Sequence, residues 1–425
     1  MKGKRKMIWS WALYDWANSA FATTVMAGFF PIFFKEYWAN PDNPSESTFY
    51  LGMANSAAAV IVALLAPLLG AIADRGTAKK KFLAVFALLG IVMTGGLWMV
   101  DQGFWQLAVL IYVGAAVGFS GGNIFYDSLL PGVASKGEAD QVSSLGFALG
   151  YVGGGILFLL NVVMYLRPES FGIPDSTVAI KLSFVTVAVW WAVFSVPVFI
   201  FVEEPKIYSA VPLKKAITLG WSQLRNTLLH IRHLKVVGMF LLAYWFYIDG
   251  VDTIVKMAVD YGKSLNFSNS VLLTALLVVQ FVAFPAALVY GWFATKIGTK
   301  QAVMVGILAY SFITILAYFM ADEWHFYVLA VVVGLFQGGI QALSRSLYFR
   351  IIPEEKAAQF FGFYNMLGKF AAVLGPAMMG TVTLLTDSAR LGILAILILF
   401  GTGAIFLSKV DFEEGERMAR QYLAK

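Results

Sequence analysis

Two carboxylates stand out in this sequence because of the company they keep. Asp15 lies in Tyr14-Asp15-Trp16-Ala17-Asn18-Ser19, and Asp249 in Tyr247-Ile248-Asp249-Gly250-Val251-Asp252-Thr253. Both sit in runs that are otherwise apolar and aromatic. In each copy an aromatic residue precedes the Asp and a second polar side chain follows three residues later. On a helix, i and i+3 share a face, so Asp15 with Asn18 predicts one polar stripe and Asp249 with Asp252 a second. An ionisable side chain inside a membrane costs on the order of 3 kcal/mol by insertion scales and usually faces a cavity. Burial raises a carboxylate's pKa and a nearby Arg lowers it. A carboxylate balanced between those effects can take up a proton on one side of a membrane and release it on the other. It can equally hold a cationic group of a solute. Two such stripes in corresponding places point to a transporter whose site lies between two halves. The simpler alternative is that each Asp caps or pairs within its own bundle.

Four further ionisable residues fall well inside apolar runs: Asp127, Asp252, Arg345 and Lys369. Asp127 and Arg345 lie at corresponding depths in their two halves. They are expected either to form an ion pair that closes an inner gate or to pair locally with loops. Arg345 has a third option, since its planar fork suits a substrate carboxylate. Asn123, Gln337 and Gln341 are candidate neutral hydrogen-bonding contacts. Tyr14, Trp16, Tyr244, Trp245 and Tyr247 are candidate cavity walls, although aromatics this frequent also serve packing and lipid contact. Asp74 and Arg75 belong to a loop and are assigned to conformational control rather than to the substrate site. Gly118-Phe119-Ser120-Gly121-Gly122 fits the Gly-x-Ser-x-Gly pattern of serine hydrolases. That chemistry needs a base beside the serine, and His230, His233 and His325 all fall in loops or at the ends of apolar runs.

The elements that must carry these residues are membrane helices. Of 425 residues 59% are hydrophobic and only 13% charged, against roughly 45–50% and 25% in ordinary globular domains. Runs of about 20 apolar residues, each long enough to span a bilayer, recur along the whole chain. Twelve spans are expected, at about 7–34, 48–73, 82–100, 105–130, 142–166, 178–202, 236–260, 269–295, 301–320, 326–350, 358–385 and 390–408. The segment 203–235 is the longest polar stretch. Ile217, Trp221, Leu224, Leu228 and Ile231 recur there at helical spacing among Lys and Arg, which predicts an amphipathic helix on the membrane surface. The expected domains are thus a six-helix bundle over 1–202, a cytoplasmic linker over 203–235, a second six-helix bundle over 236–408, and a charged helical tail over 409–425. Placing the N-terminus inside puts about 23 Lys and Arg in cytoplasmic segments and about six near the other side, as the positive-inside bias requires. Both termini are then expected to be cytoplasmic in a multi-pass protein of the cell membrane. The basic N-terminus lacks a small-residue cleavage site, so no cleaved signal peptide is expected. With no cysteine there is neither a disulfide framework nor a thiolate metal site. The net charge of +6 reflects this topology and not a nucleic-acid partner. No cofactor or metal is expected, and the chain is expected to act as a monomer.

The second half repeats the first. Besides the two Asp motifs, Gly70-Ala71-Ile72-Ala73-Asp74-Arg75 has a worn counterpart in Gly291-Trp292-Phe293-Ala294-Thr295-Lys296. Phe119-Ser120-Gly121-Gly122 resembles Phe336-Gln337-Gly338-Gly339, and Gln141 before span 5 matches Gln359 before span 11. Six plus six spans with a long link is the parallel-repeat plan of many transporters.

The loop after span 2 resembles the signature of the major facilitator superfamily, Gly-x-x-x-Asp-Arg-x-Gly-Arg-Lys. Gly70, Asp74 and Arg75 match; the second glycine stands one place early at Gly76, and the basic residues are Lys79 to Lys81. The Tyr14–Phe21 motif resembles the branch that holds bacterial transporters and the fungal vacuolar amino-acid effluxer. This resemblance implies two pseudo-symmetric six-helix bundles with spans 1, 4, 7 and 10 around a central cavity, and only weakly implies amino-acid efflux. Span 5, Gly146-Phe147-Ala148-Leu149-Gly150-Tyr151-Val152-Gly153-Gly154, is similar to an antiporter signature with Tyr151 in place of its Pro. Small residues at this spacing also let helices pack closely. The function expected is secondary active transport of a small solute by alternating access, with a proton, or Na+, as coupling ion. Amino acids or related metabolites are one candidate cargo. A lipid or amphiphile flippase of the same fold, or a non-transporting sensor, is the alternative.

Overall fold

The structure is a computed structural model that describes residues 2–39, 44–76, 78–204, 235–265, 267–386 and 388–423. The linker predicted over 203–235 lies almost wholly outside the described residues, as do the side chains of Arg75 and Lys369.

The chain forms long helices joined by short turns. Helix α1 starts as Lys2–Ala20 and continues through wide π-type turns, Phe21–Phe29 and Phe34–Trp38, with one α-turn, Phe30–Phe33, between them. The others are α2 (Pro44–Gly76), α3 (Lys79–Gly96), α4 (Trp105–Ser128), α5 (Ala139–Leu166), α6 (Ser176–Phe201), α7 (Lys235–Ser264), α8 (Asn269–Ile297), α9 (Thr299–Tyr318), α10 (Glu323–Ile351), α11 (Ala357–Thr386), α12 (Ala389–Leu394 with Leu397–Ser408) and α13 (Phe412–Leu423). Eleven of these are long and apolar enough to cross a membrane among the described residues. The 30-residue α11 occupies the place of the remaining span. Boundaries follow local chemistry. Asp175 caps α6 by accepting from Val178 N, and Asp322 with His325 forms a capping box for α10. Gly298 at φ +94° makes the turn between α8 and α9, a conformation costly for a residue with a Cβ.

Packing sorts the helices into layers. The apolar windows of α5 and α7 are 67% buried, while those of α3 and α6 are 28% and 33% buried. The peripheral helices instead expose large apolar side chains such as Val85, Leu88, Val193 and Ile200. That distribution inverts a soluble protein's and suits lipid contact. Within the first half α1 lies against α5 and α6, and α4 against α3; within the second α7 lies against α11 and α12, and α8 against α10. The halves meet through α2 with α11 and α5 with α8, supplemented by α5 with α10 and α4 with α11.

The glycine run of α5 is the floor on which α1 rests. A Cβ on Gly153 would lie 2.6 Å from Trp16 Cδ2, and one on Gly154 3.1 Å from the Ser19 carbonyl oxygen. Packing is thus the role these glycines visibly play. Gly118 and Gly121 likewise seat α4 on α3, with their Cβ positions 2.3 Å from Gly90 N and 2.4 Å from Phe86 Cδ1. Ser120, between them in the chain, is buried.

Candidate functional site

The polar side chains form three layers at one end of the molecule, the end that carries both termini. Each layer joins the two bundles.

The outermost layer centres on Asp74, at the end of α2. Its two carboxylate oxygens accept the backbone N–H groups of Ala358 (3.0 Å) and Gln359 (2.8 Å) in the first turn of α11. Lys79 Nζ lies 3.0 Å from the same carboxylate. The first N–H groups of a helix have no partner inside it and carry its partial positive charge, so a carboxylate from the other bundle satisfies both needs. One turn earlier the backbones nearly touch: a Cβ on Gly70 would stand 2.3 Å from the Ala358 carbonyl oxygen. Only glycine permits that approach. Arg75 lies outside the described side chains.

The second layer is its pseudo-symmetric counterpart. Gly291 on α8 faces the start of α5, where its Cβ would lie 2.6 Å from Ser144 Oγ. The carboxylate has changed sides, however. Thr295 stands where Asp74 would be repeated, and Asp140 in the first turn of α5 supplies the charge instead. Asp140 accepts from Thr299 Oγ1 (2.7 Å), Ser346 Oγ (2.5 Å) and Arg350 Nη2 (2.7 Å), all from the second bundle. Lys136 Nζ donates to the Arg350 carbonyl at 2.8 Å.

The innermost layer is the Asp127–Arg345 pair. Arg345 Nη1 donates to Asp127 Oδ1 at 2.9 Å, Nε to Ser143 Oγ at 2.8 Å and Nη2 to the Ser143 carbonyl at 2.9 Å. Asn365 Nδ2 reaches the other Asp127 oxygen at 3.1 Å. Trp11, Tyr126 and Phe147 surround the guanidinium, with ring centroids 5.0, 5.5 and 4.4 Å from Cζ. Of the pairings open to these residues in the sequence, the cross-bundle one is present. A buried charge is tolerable when its hydrogen bonds are met, and here all three guanidinium nitrogens are engaged.

Beyond this layer, toward the middle of the bundle, lies Asp15. It is partly exposed and accepts from Ser19 Oγ at 3.3 Å. Arg345 and Asp127 are within its electrostatic reach. Asn18 Nδ2 donates to Asn123 Oδ1 at 2.6 Å, and Tyr151 Oη donates across the interface to Gln341 Oε1 at 3.3 Å. Gln337 and Tyr14 are buried on the neighbouring faces. Asn18 thus pairs with Asn123 inside the first bundle, and Gln341 meets Tyr151 between the bundles.

The second stripe is not a stripe. Asp249 is 0% exposed and turned into its own bundle, where Oδ1 accepts from Gly375 N (3.0 Å) and Thr253 Oγ1 (3.4 Å). Asp252 turns away, partly exposed, and pairs with Lys256 at 3.4 Å. The shared-face expectation misses a tertiary competitor: α11 brings a backbone N–H to one edge of the helix only. Tyr247 is also fully buried, its hydroxyl 2.7 Å from Ser344 Oγ, and is no cavity wall here. Trp245 is partly buried beside Phe246. Asp140, Ser143, Arg350 and Asn365 were not foreseen. The signal available was Gln141, matched to Gln359, which marks the start of α5 as equivalent to the start of α11.

Comparison with known proteins agrees with this architecture. Residues 45–420 match the family model described as vacuole effluxer Atg22 like. The chain is 38% identical over 423 residues to the MFS-type transporter YxiO of Bacillus subtilis (strain 168), covering 99% of this chain and 98% of that one. Among solved structures it superposes on the human organic anion transporter MFSD10 (TETRAN) with a TM-score of 0.72 at 13% identity, over 95% of this chain and 99% of that one. The proton:xylose symporter XylE gives a TM-score of 0.70 at 14% identity, over 96% and 94%. These two likenesses concern the fold.

Proposed function

The chain belongs to the Atg22-like family of major facilitator transporters, and from that premise we propose that it moves a small solute by alternating access with Asp15 as the coupling carboxylate. The observation that carries this reading is the one-sided ladder of Asp74, Asp140 and Asp127. Their contacts join the bundles at one end, while Asp15 lies behind them, partly exposed. Polar contacts at an interface can be exchanged for water when the bundles rock apart, which a fused apolar interface resists. The positive-inside bias assigns the sealed end to the cytoplasm, so this conformation has its inner gate shut. Asp15 would be neutralised by a proton from one side and recharged toward the other. Proton coupling has a fold-level parallel in the proton:xylose symporter. Amino acids or related metabolites remain the proposed cargo, suggested by the effluxer family.

The test begins with thermal unfolding of the purified protein against amino acids, small peptides, sugars, organic cations and lipids at two pH values. A ligand that binds only the native state raises the melting temperature by mass action. The stabilising ligand is then followed in vesicles under an imposed pH gradient. Asp15→Asn is expected to bind that ligand yet fail to accumulate it against a gradient. Undiminished accumulation by Asp15→Asn removes the coupling role; stabilisation by lipids alone replaces the small-solute cargo with an amphiphile.

A further inference from the structure

Asp15 and Asp249 head the same small module in the two halves. Each carries a hydroxyl residue one turn later, Ser19 or Thr253, and each packs on a glycine of the partner helix, Gly150 of α5 or Gly375 of α11. A Cβ on Gly150 would lie 2.7 Å from Ser19 Oγ and 3.2 Å from Asp15 Oδ1; one on Gly375 would lie 1.9 Å from Thr253 Oγ1 and 2.9 Å from Asp249 Oδ1. The modules differ at the next residue. Gly375 is followed by Pro376, inside α11, and Gly150 by Tyr151. Proline has no N–H, and its ring presses on the carbonyl four residues earlier, so a helix bends or opens there. In α11 the N–H just before the proline donates to Asp249. In α5 no proline disturbs the helix, and the residue in its place sends its hydroxyl to Gln341.

We propose that Asp249 is a positioning residue whose Oδ1 pins α11 at Gly375–Pro376, where the proline weakens the helix, and thereby sets the gate that α11 carries. The half of α11 before Pro376 bears Ala358, Gln359 and Asn365, which are held by Asp74 and Asp127 of the first bundle. A carboxylate that fixes the angle of that half fixes whether three gate contacts can form at once. The single substitution of Tyr151 for the proline leaves Asp15 free of backbone obligation, and Pro376 occupies Asp249. Of two residues that look equivalent in sequence, one is available to the cargo or the proton and the other holds a hinge. This inference rests on the alternating-access reading.

What the pin needs is an acceptor atom, not a charge, and that separates it from a coupling role. The chain has no cysteine, so Gly137→Cys and Glu355→Cys, one exposed site on each bundle at the sealed end, can be spin-labelled and their distance distribution measured in lipid. Asp249→Asn keeps an oxygen acceptor and is expected to leave the closed population within about twofold of the parent. Asp249→Leu removes the acceptor and is expected to raise the open population by about tenfold, the scale of one lost buried hydrogen bond. Pro376→Ala removes the weak point that Asp249 is proposed to hold, so Asp249→Leu in that background is expected to shift the distribution little beyond Pro376→Ala alone. If Asp249→Asn opens the gate as far as Asp249→Leu, the charge matters and the pin is wrong. The pin is equally wrong if Asp249→Leu changes nothing, or if it opens the gate as far in the Pro376→Ala background as in the parent. Should Asp249→Leu fail to fold alone, Asp249→Asn and the double variant still decide: the pin is wrong if Asp249→Asn opens the gate or if the double variant departs from Pro376→Ala alone. Asp74→Ala serves as the control for the underlying reading. If it too leaves one fixed short distance, the end does not open and the transport reading fails; if it opens while Asp249→Leu does not, only the pin fails.

Discussion

Arg345 holds the inner layer together through contacts that no other residue type could make at once. Its fork engages Asp127 and both the hydroxyl and the carbonyl of Ser143, and its flat faces lie among three aromatic rings. Lysine offers a point charge and no such geometry. Removing one partner of a buried pair typically costs about 3–5 kcal/mol because the other charge is stranded. Asp127→Asn and Arg345→Gln are therefore each expected to destabilise the closed form. The double variant is expected to lose less than the sum, with a coupling of about 1–3 kcal/mol by thermal or denaturant unfolding. Strict additivity would show that the pair contributes nothing to the closed state. Glu138 illustrates the opposite regime, an exposed carboxylate. Lys4 and Ser135 hold its carboxyl down to about 2. Because its folded pKa lies below the ordinary value, the contact contributes fully above that value and is lost as the pH falls toward 2. Glu138→Gln is accordingly expected to loosen the N-terminal turn at pH 7, read as faster proteolytic trimming near Lys4. The difference from the parent should shrink in high salt, which screens exposed pairs.

At the scale of elements, close helix approach decides what can sit where. Glycines in α5 let α1 lie near enough for Asp15 and Trp16 to touch its backbone, and Gly70 lets α2 meet the first turn of α11. Gly153→Ala would place a methyl 2.6 Å from Trp16 Cδ2. Overpacking of that kind costs about 1–3 kcal/mol, expected as a lower melting temperature. Gly137→Ala, where nothing lies within 4 Å, is the matched control and is expected to be neutral. An equal loss in both variants would remove close packing as the explanation. The wide turns of α1 belong to the same scale. They take the helix past Pro31 as far as Trp38, where Phe30, Phe33, Phe34 and Trp38 pack among Tyr112 and Phe184. A span predicted to end near residue 34 runs on because that aromatic cluster buries its last turn.

At the scale of the molecule the bundles are unequal partners in one interface. The first supplies Asp74, Asp127 and Asp140; the second supplies Arg345, Arg350, hydroxyls and helix N–H groups. The carboxylates of the first bundle and the guanidinium groups of the second attract when the bundles close. They also have water to return to when they part. If the bundles must separate for transport, a short thiol cross-linker joining Gly137→Cys to Glu355→Cys is expected to abolish transport of the stabilising ligand. Reduction of a cleavable linker is expected to restore it. Transport that survives complete cross-linking would rule out opening at this end.

The membrane class, the number of spans and the two-fold repeat were written in the sequence. They depend on runs of apolar residues and on short motifs, Gly70 to Asp74 among them, and such signals are local and survive in one dimension. Asp15 as a candidate site carboxylate, and Asp127 with Arg345 as candidates for a pair, were legible for the same reason: charge inside an apolar run is conspicuous wherever it occurs. Partnership was not legible. Asp249 looks like Asp15 until α11 arrives with the N–H of Gly375, and Asp140 looks like a loop residue until Thr299, Ser346 and Arg350 converge on it. Sequence determines which side chains bear charge and how they repeat along a helix. Which of them meet depends on helices far apart in the chain packing face to face, and only the tertiary structure decides that.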